Sequence, residues 1–150
     1  MLLFLFGACT VFQPLDGTWL FRIDPDSTQS GDCASDDSAG DQVESIGTSD
    51  IWVDIYTVSG GEIAIIWDPP LLGTLTGSAV EASYETGYTY KKRSETHTTT
   101  FEATLSGGSM EGTLSSTYAE SNDGDKYTCT TKNELTATRA VSSPDSFAGN

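Results

Sequence analysis

Apolar and polar residues alternate along most of this chain with a period of two, the spacing of a strand with one face buried and one face wet. Within residues 18–23, Trp19, Phe21 and Ile23 alternate with Leu20 and Arg22. Residues 51–58 and 62–67 repeat the pattern, and Ser59-Gly60-Gly61 between them is a hairpin connector. Asp68-Pro69-Pro70 then ends the pairing, because proline has no amide proton to give to a ladder. The pattern predicts one strand over 72–84, with Gly73 and Gly77 marking a bend, a turn around Gly87, and a return strand over 95–105. Ser106-Gly107-Gly108 leads into 109–120, where Met110, Gly112, Leu114 and Tyr118 share one face. The clearest hairpin turn is Ser121-Asn122-Asp123-Gly124-Asp125, since Asn, Asp and Gly tolerate positive φ. In the last strand, 126–139, Tyr127, Cys129, Leu135 and Ala137 point one way and Thr128, Thr130, Lys132, Glu134, Thr136 and Thr138 the other.

No segment of useful length carries the helical period, and connections this short join antiparallel neighbours. With 150 residues the chain supports one core. The expected domain is therefore all-β, an up-and-down meander of about seven to eight strands over residues 16–139. Closing such a sheet removes its edges, so a barrel is the economical architecture, with a β-sandwich as the alternative. Small residues at 77, 79, 103 and 112 are expected to pack closely. Periodicity fails over 24–45, where Asp24, Asp26, Asp32, Asp36, Asp37, Asp41 and Glu44 stand among Ser and Gly, which predicts a long acidic loop. Residues 140–150 read as a flexible tail.

Charge narrows the partners. The formal net charge is −15, which repels phosphate backbones and argues against nucleic acid. No Lys or Arg occurs between Arg22 and Lys91, whereas 13 Asp and Glu do. Asp32, Asp36, Asp37 and Asp41 could attract calcium, which takes clustered carboxylate and carbonyl oxygens, although their spacing does not match an EF-hand loop. His97 is the single histidine and reads as a surface residue; no Gly-x-Ser-x-Gly elbow accompanies it, and zinc would need more His or Cys ligands. Neither an enzyme nor a cofactor is expected, and no catalytic residue is assigned. Lys91-Lys92-Arg93 is the one basic cluster interleaved with aromatics, Tyr84, Tyr88 and Tyr90. Tyr84, Tyr88, Tyr90, Lys91 and Arg93 are accordingly the candidates for a ligand-receiving mouth, a solvated turn being the competing reading.

Near the start, the apolar run Met1 to Phe6 is followed by Gly7-Ala8-Cys9. This resembles the end of a bacterial lipoprotein signal peptide, in which the cysteine becomes the first mature residue and carries lipid. The resemblance implies a signal remnant over 1–8, a lipid-anchored tether over 9–15, and a location at the bacterial outer membrane or cell surface. The competing reading makes Met1 to Phe6 a first buried strand. With Cys9 lipidated, Cys33 and Cys129 remain as a pair for a disulfide, which persists in an oxidising compartment. Such a bridge would contribute on the order of 4 kcal/mol. A bridge from Cys9 to either partner, or free thiols in a cytosolic chain, are the alternatives.

The two ends of the barrel segment resemble the lipocalin-like, or calycin, barrels. Gly17-Thr18-Trp19 matches their opening Gly-x-Trp, and Arg139 falls where they place an arginine across the tryptophan ring, closing the barrel's bottom. Avidin-like barrels also open a strand with Gly-Thr-Trp. Cys129 and Ala137-Thr138-Arg139 are similar to the last strand of some bacterial envelope lipoproteins. The resemblance implies a non-enzymatic small-molecule binding module held at a membrane through lipid on Cys9. The alternatives are a solid-core structural or interaction lipoprotein that contacts another envelope protein, and an acidic calcium-binding surface domain.

Overall fold

The computed structural model describes residues 15–33 and 50–140, and these form one closed antiparallel barrel with strands in sequence order, β1 to β8. The strands are β1 Gly17–Gly31, β2 Asp50–Thr57, β3 Glu62–Ile66, β4 Leu71–Thr76, β5 Ala79–Tyr90, β6 Arg93–Ser106, β7 Ser109–Asn122 and β8 Asp125–Arg139. Each pairs with its neighbours in sequence, and β8 pairs back onto β1. The barrel, not the sandwich, is the architecture, because the β1–β8 ladder leaves no seam between two sheets.

Several boundaries differ from the sequence expectation, each for a backbone reason. The predicted strand over 72–84 is two strands, because Gly77 has φ 62 and turns the chain instead of bending it. The described residues therefore form eight strands. Gly77 faces open space and Ala79 is exposed, so neither packs closely; Gly112 and Ala103, which face each other across β6 and β7, do. Gly87 lies inside β5, and the turn comes later at Lys91, which adopts φ 55. The first part of the predicted acidic loop is strand, because β1 continues to Gly31 along β8, and residues 34–45 of that prediction lie outside the described residues. Its register jumps from Ile23 opposite Leu135 to Ser27 opposite Asn133, so residues 24–26 form a bulge. There the Asp26 amide donates to the Asp24 carboxylate at 2.9 Å. Exposed polar residues still pair through their main chains, which side-chain alternation does not reveal.

Inward positions fill the barrel near the β1 entry. Trp19, Phe21, Val53, Ile55, Ile63, Ile65, Leu71, Phe101, Met110 and Leu114 are buried in a single cluster, each contributing about 1.5–3 kcal/mol through removal from water. The Phe21 and Phe101 rings stack with centroids 5.4 Å apart, and Trp67 meets Phe21 at 6.2 Å. Closure requires sharp coiling. At Gly73 and Gly112 a Cβ would lie 1.8 Å and 2.1 Å from a carbonyl oxygen of the paired strand, so only glycine lets these strands cross so closely.

The entry end is closed by the residues flanking β1. Trp19 and Arg139 are direct cross-strand partners. The indole Nε1 donates to the carbonyl of buried Leu15 at 2.9 Å, and the Arg139 guanidinium donates to the Asp16 carbonyl. At the other end of β1, Cys33 and Cys129 form a disulfide across 96 residues, with Cα atoms 4.8 Å apart. Asp32 extends the ladder there, its amide donating to the Thr128 carbonyl and its carboxylate accepting from the Thr128 amide at 3.0 Å.

Candidate functional site

Unequal strand lengths leave the inner face of part of the barrel uncovered. β2 begins opposite Arg22 and β2 to β4 are short, whereas β5 to β8 and the second half of β1 continue past the hydrophobic cluster. The inward faces of these longer strands form a curved sheet, arranged in rows by the pairing register. Ala82, Phe101, Leu114 and Asn133 make the row at the edge of the core. Above it lie Tyr84, Thr99, Ser116 and Thr131, then Thr86, His97, Tyr118 and Cys129, then Tyr88, Glu95, Glu120 and Tyr127. The face thus changes from apolar to hydrogen-bonding within one row.

At the rim Arg93 joins two carboxylates that face each other across β6 and β7. Its Nη2 lies 2.5 Å from Glu95 Oε1, and its Nε lies 3.1 Å from Glu120 Oε1. Both Glu side chains are largely shielded from water, so neighbouring like charges would repel strongly without the guanidinium. Tyr118 donates to Glu120 at 2.7 Å and Tyr88 donates to Glu95 at 3.2 Å. Burial, reinforced by the bond to Glu120, pushes the Tyr118 phenol up to about 12, so it remains a donor at any physiological pH. The Tyr118 hydroxyl and the two carboxylates also hold the Arg93 guanidinium more firmly protonated than usual. His97 is half-buried, its ring 4.8 Å from that of Tyr118, and so is not the surface residue expected.

Two buried atoms in the floor lack partners among the described residues. Thr131 and Asn133 are 4 % and 2 % exposed, yet Thr131 Oγ1 and Asn133 Oδ1 accept no hydrogen bond among the described residues. Asn133 is nonetheless fixed, because its Nδ2 donates to the Asp24 carbonyl at 2.9 Å. Burying an unpaired oxygen costs about 1–3 kcal/mol, which a stable core avoids.

The mouth residues predicted from sequence divide. Tyr84 and Tyr88 belong to the inward rows, and Tyr90 and Arg93 pair with each other at the rim. Lys91 is in the turn with its Nζ 5.1 Å from the Tyr90 ring centre, and Lys92 pairs with Asp123 at 2.6 Å. Glu95, His97, Tyr118, Glu120, Thr131 and Asn133 were missed as site residues. The signal for them was parity, since each stands an even number of residues from a core position on its own strand.

Of the calcium candidates, Asp32 is engaged with Thr128, while Asp36, Asp37 and Asp41 lie outside the described residues, as does Cys9. Among the described residues no three His, Cys, Asp or Glu side chains are placed to hold a metal ion. No described helix is long and apolar enough to cross a membrane. A second concavity, a groove of about 380 Å³, opens where the β1 bulge parts from β7 and β8, bordered by Arg22, Asp24, Glu111 and Glu134. Comparison with family models, characterised proteins and solved structures finds no match.

Proposed function

We propose that this barrel is an exported, lipid-anchored, lipocalin-like module of a bacterial cell envelope that binds a small polar molecule on the concave face of β5 to β8, without catalysing a reaction. The observation that carries the reading is the pair of buried oxygens, Thr131 Oγ1 and Asn133 Oδ1, that have no partner among the described residues and lie beneath a hydrogen-bonding surface. Two carboxylates shared by one guanidinium line the face, and an amide oxygen and a hydroxyl lie buried just beneath it, so the set is rich in acceptors. A donor-rich ligand, bearing several hydroxyl or amino groups, complements such a set. Export is supported by the Cys33–Cys129 disulfide, a bond that persists outside the reducing cytosol. The Gly17-Thr18-Trp19 and Arg139 elements at the closed end support the lipocalin-like assignment.

The test is a thermal-shift panel of sugars, polyols, amino acids and polyamines against the wild type and Thr131→Val. A donor-rich compound that raises the wild-type Tm and not that of the variant is the expected result. A panel that leaves the wild type unmoved, or moves both proteins equally, rejects the site. The filled lower half of the barrel favours a second reading, a solid-core interaction lipoprotein, which that negative outcome would support.

A further inference from the structure

The outer wall of the barrel is chemically uneven. Outward positions on β6 to β8 carry residues such as Thr100, Glu102, Thr113, Lys132 and Glu134. On β2 to β4 they carry Trp52, Tyr56, Ile66 and Leu72, with Val58 just beyond β2, all about half exposed or more; Trp52 reaches 62 % and Leu72 65 %. Tyr56, Ala64 and Leu72 are successive cross-strand partners, and Ile66 pairs beside them with Asp54, so these residues form one patch. Asp54 is half-buried within it and accepts from Thr18 Oγ1 at 2.6 Å. Contiguous apolar surface on a polar protein marks an interaction site, and Trp and Tyr combine an apolar body with a polar tip that suits a membrane interface.

The chain enters the barrel at one end of this patch. The Asp16 carboxylate accepts from the Thr57 amide, and Gly17 stands opposite Ile55. Leu15 follows Cys9 by six residues, which span about 20 Å at full extension. A lipid on Cys9 therefore holds the Tyr56 and Val58 end of the patch close to the bilayer. We infer that the outer face of β2 to β4 lies on the membrane surface to which Cys9 is attached, an inference that rests on the lipid-anchor reading above. Charge selects the lipid: Asp54, Glu62 and Asp68 stand on or beside the patch, so zwitterionic headgroups, which carry no net charge, accept it and anionic ones repel it. The net charge of −15 likewise opposes pairing of this face with a second copy.

The full chain, its Cys9 thiol coupled to a maleimide-bearing lipid in phosphatidylcholine vesicles, tests this. Brominated phosphatidylcholine should remove roughly a third of the tryptophan emission, the share of Trp52 among three tryptophans. Trp52→Phe should abolish that loss. Tyr56→Ser/Leu72→Ser should stay tethered and folded, since both side chains point outward, yet lose most of the quenching. Replacing half the lipid with phosphatidylglycerol should weaken the quenching. Unquenched Trp52 in tethered protein overturns the inference, as does equal quenching of the double variant. A Trp52 that is already shielded in uncoupled protein and exposed by Phe12→Ser assigns the face to the chain's own N-terminal segment, and a dimer dispersed by the double variant assigns it to a second copy; both overturn it. Mass spectrometry of host-purified protein reads the lipid separately: absence of lipid refutes the anchor reading, whereas lipid present with Trp52 unquenched refutes this inference alone.

Discussion

Replacing Thr131 by valine isolates the cost of the unpaired hydroxyl in the barrel floor. Valine keeps the branched shape and nearly the volume of threonine, so packing against the neighbouring rows is preserved and the oxygen alone is removed. Thr131 is 4 % exposed and its Oγ1 has no partner among the described residues, so the folded wild type carries a desolvation penalty of about 1–3 kcal/mol that the unfolded chain avoids. Part of that is offset if solvent reaches the atom, and a gain of about 1–2 kcal/mol is expected for Thr131→Val. For a domain of this size the gain corresponds to a rise in Tm of roughly 4–8 °C. Differential scanning calorimetry and urea unfolding should agree on it. A variant equal to or less stable than the wild type would show that the hydroxyl is satisfied in solution, and the argument from orphaned oxygens to a ligand would fail. A variant that is more stable and also deaf to ligand would identify a residue kept for binding at the expense of stability.

Removing the disulfide with Cys33→Ala/Cys129→Ala releases a constraint across 96 residues, worth about 4–5 kcal/mol by the chain-entropy argument. The urea midpoint should fall by about 2 M at an m-value near 2 kcal/mol/M, and an unchanged midpoint would mean the bridge adds nothing. Tyr118 predicts an alkaline dependence. Its folded pKa, about 12, exceeds the ordinary value of 10.0, so the unfolded chain loses this proton first as pH rises. Its contribution is complete below pH 10 and is lost as pH climbs towards 12. Melting curves over that range should fall less steeply for Tyr118→Phe, and identical slopes would contradict the shift.

Much of the fold was legible in the sequence because strand alternation is local. Trp19, Phe21 and Ile23 declare their inward face by spacing alone, and Asp123-Gly124 declares its turn by tolerance of positive φ, which both residues adopt. The same local logic misread Gly77 and Gly87, because a glycine can serve a turn or a crowded crossing and only the partner strand decides which. It also ended β1 at Ile23, since the pairing of residues 27–31 with β8 is a main-chain bond to residues about a hundred positions away.

The site was legible in fragments. Tyr84, Tyr88 and Arg93 were legible as one cluster beside a turn, and the resemblance of Gly7-Ala8-Cys9 to a lipoprotein signal left Cys33 and Cys129 as the pair that the disulfide joins. Glu95 and Glu120 lie 25 residues apart in the chain, and only the β6–β7 register sets them face to face with Arg93 between them. Alternation, turn chemistry and charge are properties of neighbouring residues, so the chain alone determined an all-β meander of strongly acidic character. Closure, the row in which the interior turns from apolar to polar, and the burial of Thr131 Oγ1 and Asn133 Oδ1 without a hydrogen-bond partner among the described residues depend on strand register and length, which are settled only when distant strands meet.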